Sequence, residues 1–149
     1  MGIRDEWERL ELKIIPYKNT LDAYILVDTE MLVAVMDDHL TTLESVQKSD
    51  YAAHVRDQIQ EWIQNLNIMQ ANLGKWVESQ RNWIYLDPIF NTLQIQNVLH
   101  EEATAFLEVQ STFKRIMWSA YRKPKATYNL MIQNRVEVFE KLTGYFAKI

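Results

Sequence analysis

From Ala52 to Trp83 the side chains Ala52, Val55, Ile59, Trp62, Leu66, Met69, Leu73, Trp76, Gln80 and Trp83 follow one another at alternating steps of three and four. An α-helix turns that spacing into one continuous stripe, whereas a strand would scatter it over both faces. The run predicts a single helix of about 34 residues, some 50 Å long at about 1.5 Å per residue. Ile63, Val77 and Ile84 widen the stripe on one flank. Such a face must be covered: by the rest of the same chain as bundle core, by a ligand, or by a larger assembly that docks on it. Asp87-Pro88 predicts where the helix stops, because a residue before proline is pushed out of helical dihedrals. Gly74 inside the run weakens the helix by about 1 kcal/mol relative to alanine, which packing over many turns outweighs.

The remaining chain reads as mostly helical around this rod. Residues 12–27, LKIIPYKNTLDAYILV, are the strand-like part. They predict a short hairpin turning at Lys18-Asn19-Thr20, with Pro16 confining the first arm to an edge. Asp28 is the expected N-cap of a following helix that carries Leu32, Met36, Leu40 and Leu43 and ends near Gln47-Lys48-Ser49. A later helix runs from about Glu101 to Ala120, with Ala103, Phe106, Gln110, Phe113, Met117 and Ala120 in register. Its acidic start and its Arg122-Lys123 end suit the helix dipole, and Pro124 breaks it. A last helix is expected through Tyr128, Ile132, Arg135, Phe139, Leu142, Phe146 and Ile149, its apolar pattern still running at the final residue, as though cut in mid-helix.

Composition narrows the function. The 149 residues fit about one domain, and three glycines with three prolines leave little turn chemistry for an all-β fold. A net charge of −4 argues against a general nucleic-acid binder. With no cysteine, disulfides and thiolate chemistry are excluded, which fits a reducing compartment. No apolar run reaches the roughly 20 residues of a membrane span. His39, His54 and His100 lack a second ligand at metal-binding spacing; in Asp37-Asp38-His39 adjacent residues point about 100° apart. Glu101-Glu102 reads as dipole-compatible acids, and Ser45, Ser49 and Ser111 have no glycine-rich elbow. Three glycines build no phosphate loop. The basic cluster Lys114, Arg115, Arg122, Lys123 and Lys125 is read as a solvated helix end, or as a contact for an acidic partner. The expected architecture is mainly α: an elongated helical bundle with one long helix and a short N-terminal hairpin, and no catalytic constellation.

Residues 76–90, WVESQRNWIYLDPIF, resemble the W-x-x-x-Q-R-x-W-x-Y-L-[ED]-P-I-F signature of the dynein heavy chain linker. Trp7, Ile15-Pro16-Tyr17-Lys18 and Tyr24-Ile25-Leu26 are similar to that family's small hairpin. Met36-Asp37-Asp38-His39 is similar to its L-D-D segment, and Ser49 with Tyr51 to the S-x-Y before its long helix. Leu99 to Glu102, Phe106 and Arg115-Ile116-Met117 follow its L-P-x-E…F…M pattern, with His100 in place of the usual proline. The form resembles axonemal and intraflagellar-transport heavy chains more than the cytoplasmic transport chain. A Y-L-E-x-K-R segment would come just after Ile149.

The resemblance implies one fragment of the linker, with the hairpin at about 12–27, the bundle at about 28–149, and a C-terminal truncation. It implies a lever that couples ATP-driven change in the motor ring to movement along microtubules. Its structural core would be Trp62, Trp76, Gln80, Arg81, Trp83, Tyr85, Leu86, Pro88 and Phe90. No catalytic, cofactor or metal residue is expected here, ATP and magnesium belonging to the whole motor. The implied partners are the rest of the heavy chain with its ATPase ring, and microtubules through the whole motor, without nucleic acid or membrane. The implied location is the cytoplasm and cytoskeleton, in the axoneme of a cilium or flagellum. The alternative is a helical scaffold that binds a partner helix through the seam Ile59–Trp62–Leu66–Met69; tryptophan at seam positions suits a two-stranded coil poorly.

Overall fold

The long helix organises everything that packs around it. A computed structural model describes residues 2–17, 23–49, 55–90, 92–131 and 139–144. Its elements are α1 (Gly2–Arg9), β1 (Lys13–Pro16), β2 (Tyr24–Val27), α2 (Thr29–Gln47), α3 (Arg56–Phe90), α4 (Leu93–Val98), α5 (His100–Arg122) and α6 (Ala126–Leu130), with residues 139–144 again helical. The chain is mainly α with one antiparallel hairpin, in which Ile14 faces Leu26 and Pro16 faces Tyr24.

Cross-links fix how α2 and α5 run. Gln47 donates to Gln60 and Asp37 accepts from Gln70, each at 2.8 Å, so stepping ten back along α2 steps ten forward along α3. The two are antiparallel. On another side Trp76 meets Met117, Trp83 meets Phe113 and Phe90 meets Phe106, which makes α5 antiparallel to α3 as well. The stripe is thereby roofed by its own chain: Ile59, Leu66, Met69, Leu73, Trp76, Gln80 and Trp83 are buried, and Trp62 and Val55 partly so. Ala52 lies outside the described residues, as do Lys18, Asn19, Thr20, Tyr51, His54, Ile132, Arg135, Phe146 and Ile149.

Three expectations are corrected. Asp87-Pro88 does not end α3, which continues to Phe90. Pro88 deprives the last turn of one donor, at a cost near 3 kcal/mol in an ordinary helix interior. Here Leu86 and Phe90 on either side are buried, and the terminal carbonyls find new donors: Thr92 Oγ1 to Ile89 at 3.1 Å and Gln96 Nε2 to Phe90 at 2.9 Å. Asp28 does precede α2, but its side chain caps nothing. Its backbone is left-handed (φ 55°, ψ 34°), a state aspartate tolerates better than most residues, and its carboxylate pairs instead with Lys13 Nζ at 2.8 Å. The expected last helix is not continuous either. The short α6 ends at Leu130, Tyr128 is exposed, and Phe139 and Leu142 are buried on the separate helical stretch 139–144.

The segments α1 and α4 lie beyond what the periodicity foresaw. Around residues 10–12 the backbone reaches across to the α5–α6 junction, where Leu12 N–H donates to Pro124 O at 2.6 Å and Ala126 N–H to Leu10 O at 2.9 Å. The buried Trp7 of α1 donates its indole N–H to His39 Nδ1 at 2.9 Å. Because that donor needs an unprotonated Nδ1, His39 presents Nε2–H to Glu6 Oε2 at 3.0 Å. His39 is thus a strut between α1 and α2.

Gly74 faces outward from α3, and a Cβ built on it meets nothing within 4 Å. Gly74→Ala should therefore stabilise the chain by about 0.5–1 kcal/mol, through helix propensity alone. Urea melts of the two proteins, compared at equal slope, measure this.

Candidate functional site: the aromatic joint on the long helix

Gln80 occupies the register of an apolar residue yet is buried, and its carboxamide explains why. Oε1 accepts from Leu26 N–H at 2.6 Å and Nε2 donates to Leu26 O at 2.9 Å. One side chain of α3 thus plays the part of a neighbouring strand along β2, satisfying both backbone groups that β1 leaves open. The hairpin is hooked to the rod at that point.

Aromatic contacts secure the hook on both sides. Trp83 sits with its ring centroid 4.9 Å from Tyr17, beside the hairpin, and 5.3 Å from Phe113 of α5. Trp76, one heptad earlier, points its indole N–H at Met117 Sδ (3.0 Å) and stacks on Phe139 at 5.1 Å. Phe90, one heptad later, stacks on Phe106 at 5.1 Å. Offset ring pairs of this kind contribute about 0.5–1.5 kcal/mol each beyond the area they bury. Trp83 carries one debt: its indole N–H has no hydrogen-bond partner among the described residues.

The signature residues divide by face. Trp76, Gln80, Trp83, Leu86 and Phe90 come together on the buried side, whereas Trp62 is half-buried further toward the start of α3. Arg81, Tyr85 and Pro88 point away from this core, and Tyr85 is 70% exposed. Arg81 lines a groove of about 600 Å³ between α2 and α3 together with Thr29, Asp37 and Gly74. The opening left by Gly74 faces that groove.

Two partners on α3 escaped the stripe. Asn72 donates to Leu130 O and fixes α6, while Ser79 Oγ donates to Phe139 O at 3.1 Å and also meets Thr143 Oγ1 at 3.1 Å. Asn72, Ser79 and Leu86 are themselves a heptad series, all buried. Extending the stripe by one position would have found them, but their polarity argued for solvent. Joined in this way, the groups are amides, hydroxyls and rings, suited to fixing positions rather than to moving protons. Among the described residues no cluster of His, Asp or Glu could hold a metal ion.

Three substitutions at two positions test the joint. Trp83→Ala should cost about 3–5 kcal/mol, as large-to-small aromatic core changes do, and Trp83→Phe less than half of that because it removes an unpaired donor while keeping a ring. Gln80→Ala leaves the buried N–H and C=O of Leu26 without partners and should cost about 2 kcal/mol or more. Equilibrium denaturation of the three variants reads both effects.

The whole chain, residues 1–149, matches the family model described as dynein heavy chain, N-terminal region 2. It is 31% identical over 147 residues to human dynein axonemal heavy chain 6, covering 99% of this chain and 4% of that protein. To human dynein axonemal heavy chain 1 it is 32% identical over 116 residues, covering 78% of this chain and 3% of that protein. The cytoplasmic dynein heavy chain of Neurospora crassa is 24% identical over 148 residues, covering 99% of this chain and 3% of that protein. The chain therefore spans only 3–4% of the length of these relatives. On the family match and on the identity to relatives across nearly all its residues, the chain belongs to the dynein heavy chain family, in its N-terminal region 2.

Proposed function

We propose that these residues form part of the linker of a dynein heavy chain, a lever that turns ATP-driven change in a motor ring into movement along microtubules. The observation that carries this reading is the set of ring contacts at Trp76, Trp83 and Phe90 on one 35-residue helix, with Gln80 hooked to Leu26 between the first two. A lever must move as one body, and contacts repeated every heptad, about 10 Å apart along the rod, resist its bending at several levels. In this reading the segment performs no chemistry. ATP and magnesium act elsewhere in the heavy chain, and microtubules are met only through the whole motor. The higher identity to axonemal relatives than to the cytoplasmic one supports an axonemal heavy chain, working on the cytoskeleton of a cilium or flagellum.

Placing Trp76→Ala with Trp83→Ala in a full-length heavy chain removes packing from two levels of the rod. The lever reading expects microtubule gliding to slow several-fold while basal ATP turnover changes much less. Both rates are measured on one preparation, with the segment shown folded by limited proteolysis. Equal losses in both would contradict the lever.

A further inference from the structure

The end of α5 carries a surface that the lever does not use. Trp118, Tyr121 and Tyr128 stand 46%, 43% and 47% exposed among the basic residues noted in the sequence. Their positions are held from behind. Tyr24 of β2 stacks on Tyr121 at 4.3 Å and lies 5.6 Å from Trp118. The Arg122 guanidinium lies 6.0 Å from the Trp118 ring centre, and Lys123 Nζ 5.5 Å from that of Tyr128. Trp118, Arg122, Lys123 and Tyr128, together with Arg115 and Ser119, wall an open hollow of about 440 Å³, with Tyr121 outside it.

Among the described residues Arg115, Arg122, Lys123 and Lys125 form no ion pair, although the chain carries a net charge of −4. Glu11 comes beside Lys125, but as a backbone bridge. The helix dipole accounts for a cation or two at a C-terminus. It does not account for three large rings standing half in water, two of them held there by a hairpin tyrosine.

We propose that this patch docks an acidic segment of the same heavy chain lying outside residues 1–149. An aromatic or aliphatic side chain of that segment would lie on Trp118 and Tyr121, and its flanking carboxylates would meet Arg115, Arg122 and Lys123. Rings that already carry cations on their faces favour a partner that is both apolar and anionic. Nucleic acid fits less well, because a short cluster on an acidic chain neutralises few phosphates. The patch is small, so a free peptide would bind weakly. A tethered segment acts at an effective concentration of about millimolar, and a chain of which this is 3–4% in its relatives supplies the tether. The inference rests on membership of the family and stands whether or not the segment is a lever.

Zero-length carbodiimide cross-linking of the full-length heavy chain, mapped by mass spectrometry, tests it. The expected product joins the amine of Lys123 or Lys125 to an Asp or Glu of the same heavy chain outside these residues. Its yield should fall roughly fivefold or more in Trp118→Ala, and likewise in the separate double variant Arg115→Glu with Arg122→Glu. It should also fall when salt is raised from 50 to 500 mM in the unaltered chain, a readout that needs no variant to fold. Several results would overturn the proposal: no such product, a yield indifferent to salt, cross-links only to a separate polypeptide, or loss of the product on adding a micromolar 20-nucleotide single strand.

Discussion

The burial of one aromatic stripe on α3 is the constraint from which the rest of the architecture follows. A helix of 35 residues with bulky side chains at alternating three- and four-residue steps cannot stand alone in water. It needs cover along most of its length and from more than one direction. Two antiparallel neighbours, α2 and α5, provide the length, and the hairpin, α6 and residues 139–144 close the second half. Every cross-helix distance quoted above, from Gln47–Gln60 to Phe90–Phe106, marks a level at which this cover is pinned.

Polar side chains decide the register where apolar ones decide the burial. Apolar contacts tolerate sliding, since leucine against phenylalanine is satisfied in several offsets. Gln80 on Leu26, Asn72 on Leu130 and Ser79 on Phe139 are not so permissive, for each buries groups that lose about 1–3 kcal/mol if displaced from their partner. All three lie on α3 and all reach backbone atoms of a different element. Specific position along the rod thus comes from three short polar side chains, and cohesion from the rings between them.

Much of this was legible from periodicity. The stripe on α3, the faces of α2 and α5, and the hairpin all rest on local spacing, and the residues named for those faces are largely the buried ones. What escaped depends on tertiary partners. Pro88 is tolerated because Phe90 is anchored on Phe106, which no local rule contains. Asp28 was placed correctly and given the wrong task, because Lys13 on the neighbouring strand competes for its carboxylate. Within the fifteen-residue signature the resemblance grouped Arg81, Tyr85 and Pro88 with the core, yet these three face outward while Trp76, Gln80, Trp83, Leu86 and Phe90 are buried. The hook made by Gln80 was beyond local spacing, since its partner lies 54 residues away. The strut of Trp7 on His39, and the crossing of residues 10–12 to residues 124–126, have the same character.

The central claim is that hairpin and rod are one mechanical body joined through Gln80. Native-state amide hydrogen exchange reads this directly, because groups that open together exchange with one free energy. The amide of Leu26, bonded to a side chain of α3 and not to its neighbouring strand, is the reporter. The account predicts that Leu26 exchanges with the same opening free energy as the amides of residues 76–86, rather than with the fraying of a two-stranded hairpin. Exchange of Leu26 a hundredfold or more faster than those helix amides, a gap of about 2.7 kcal/mol or more, would show that the hairpin opens independently and would contradict it.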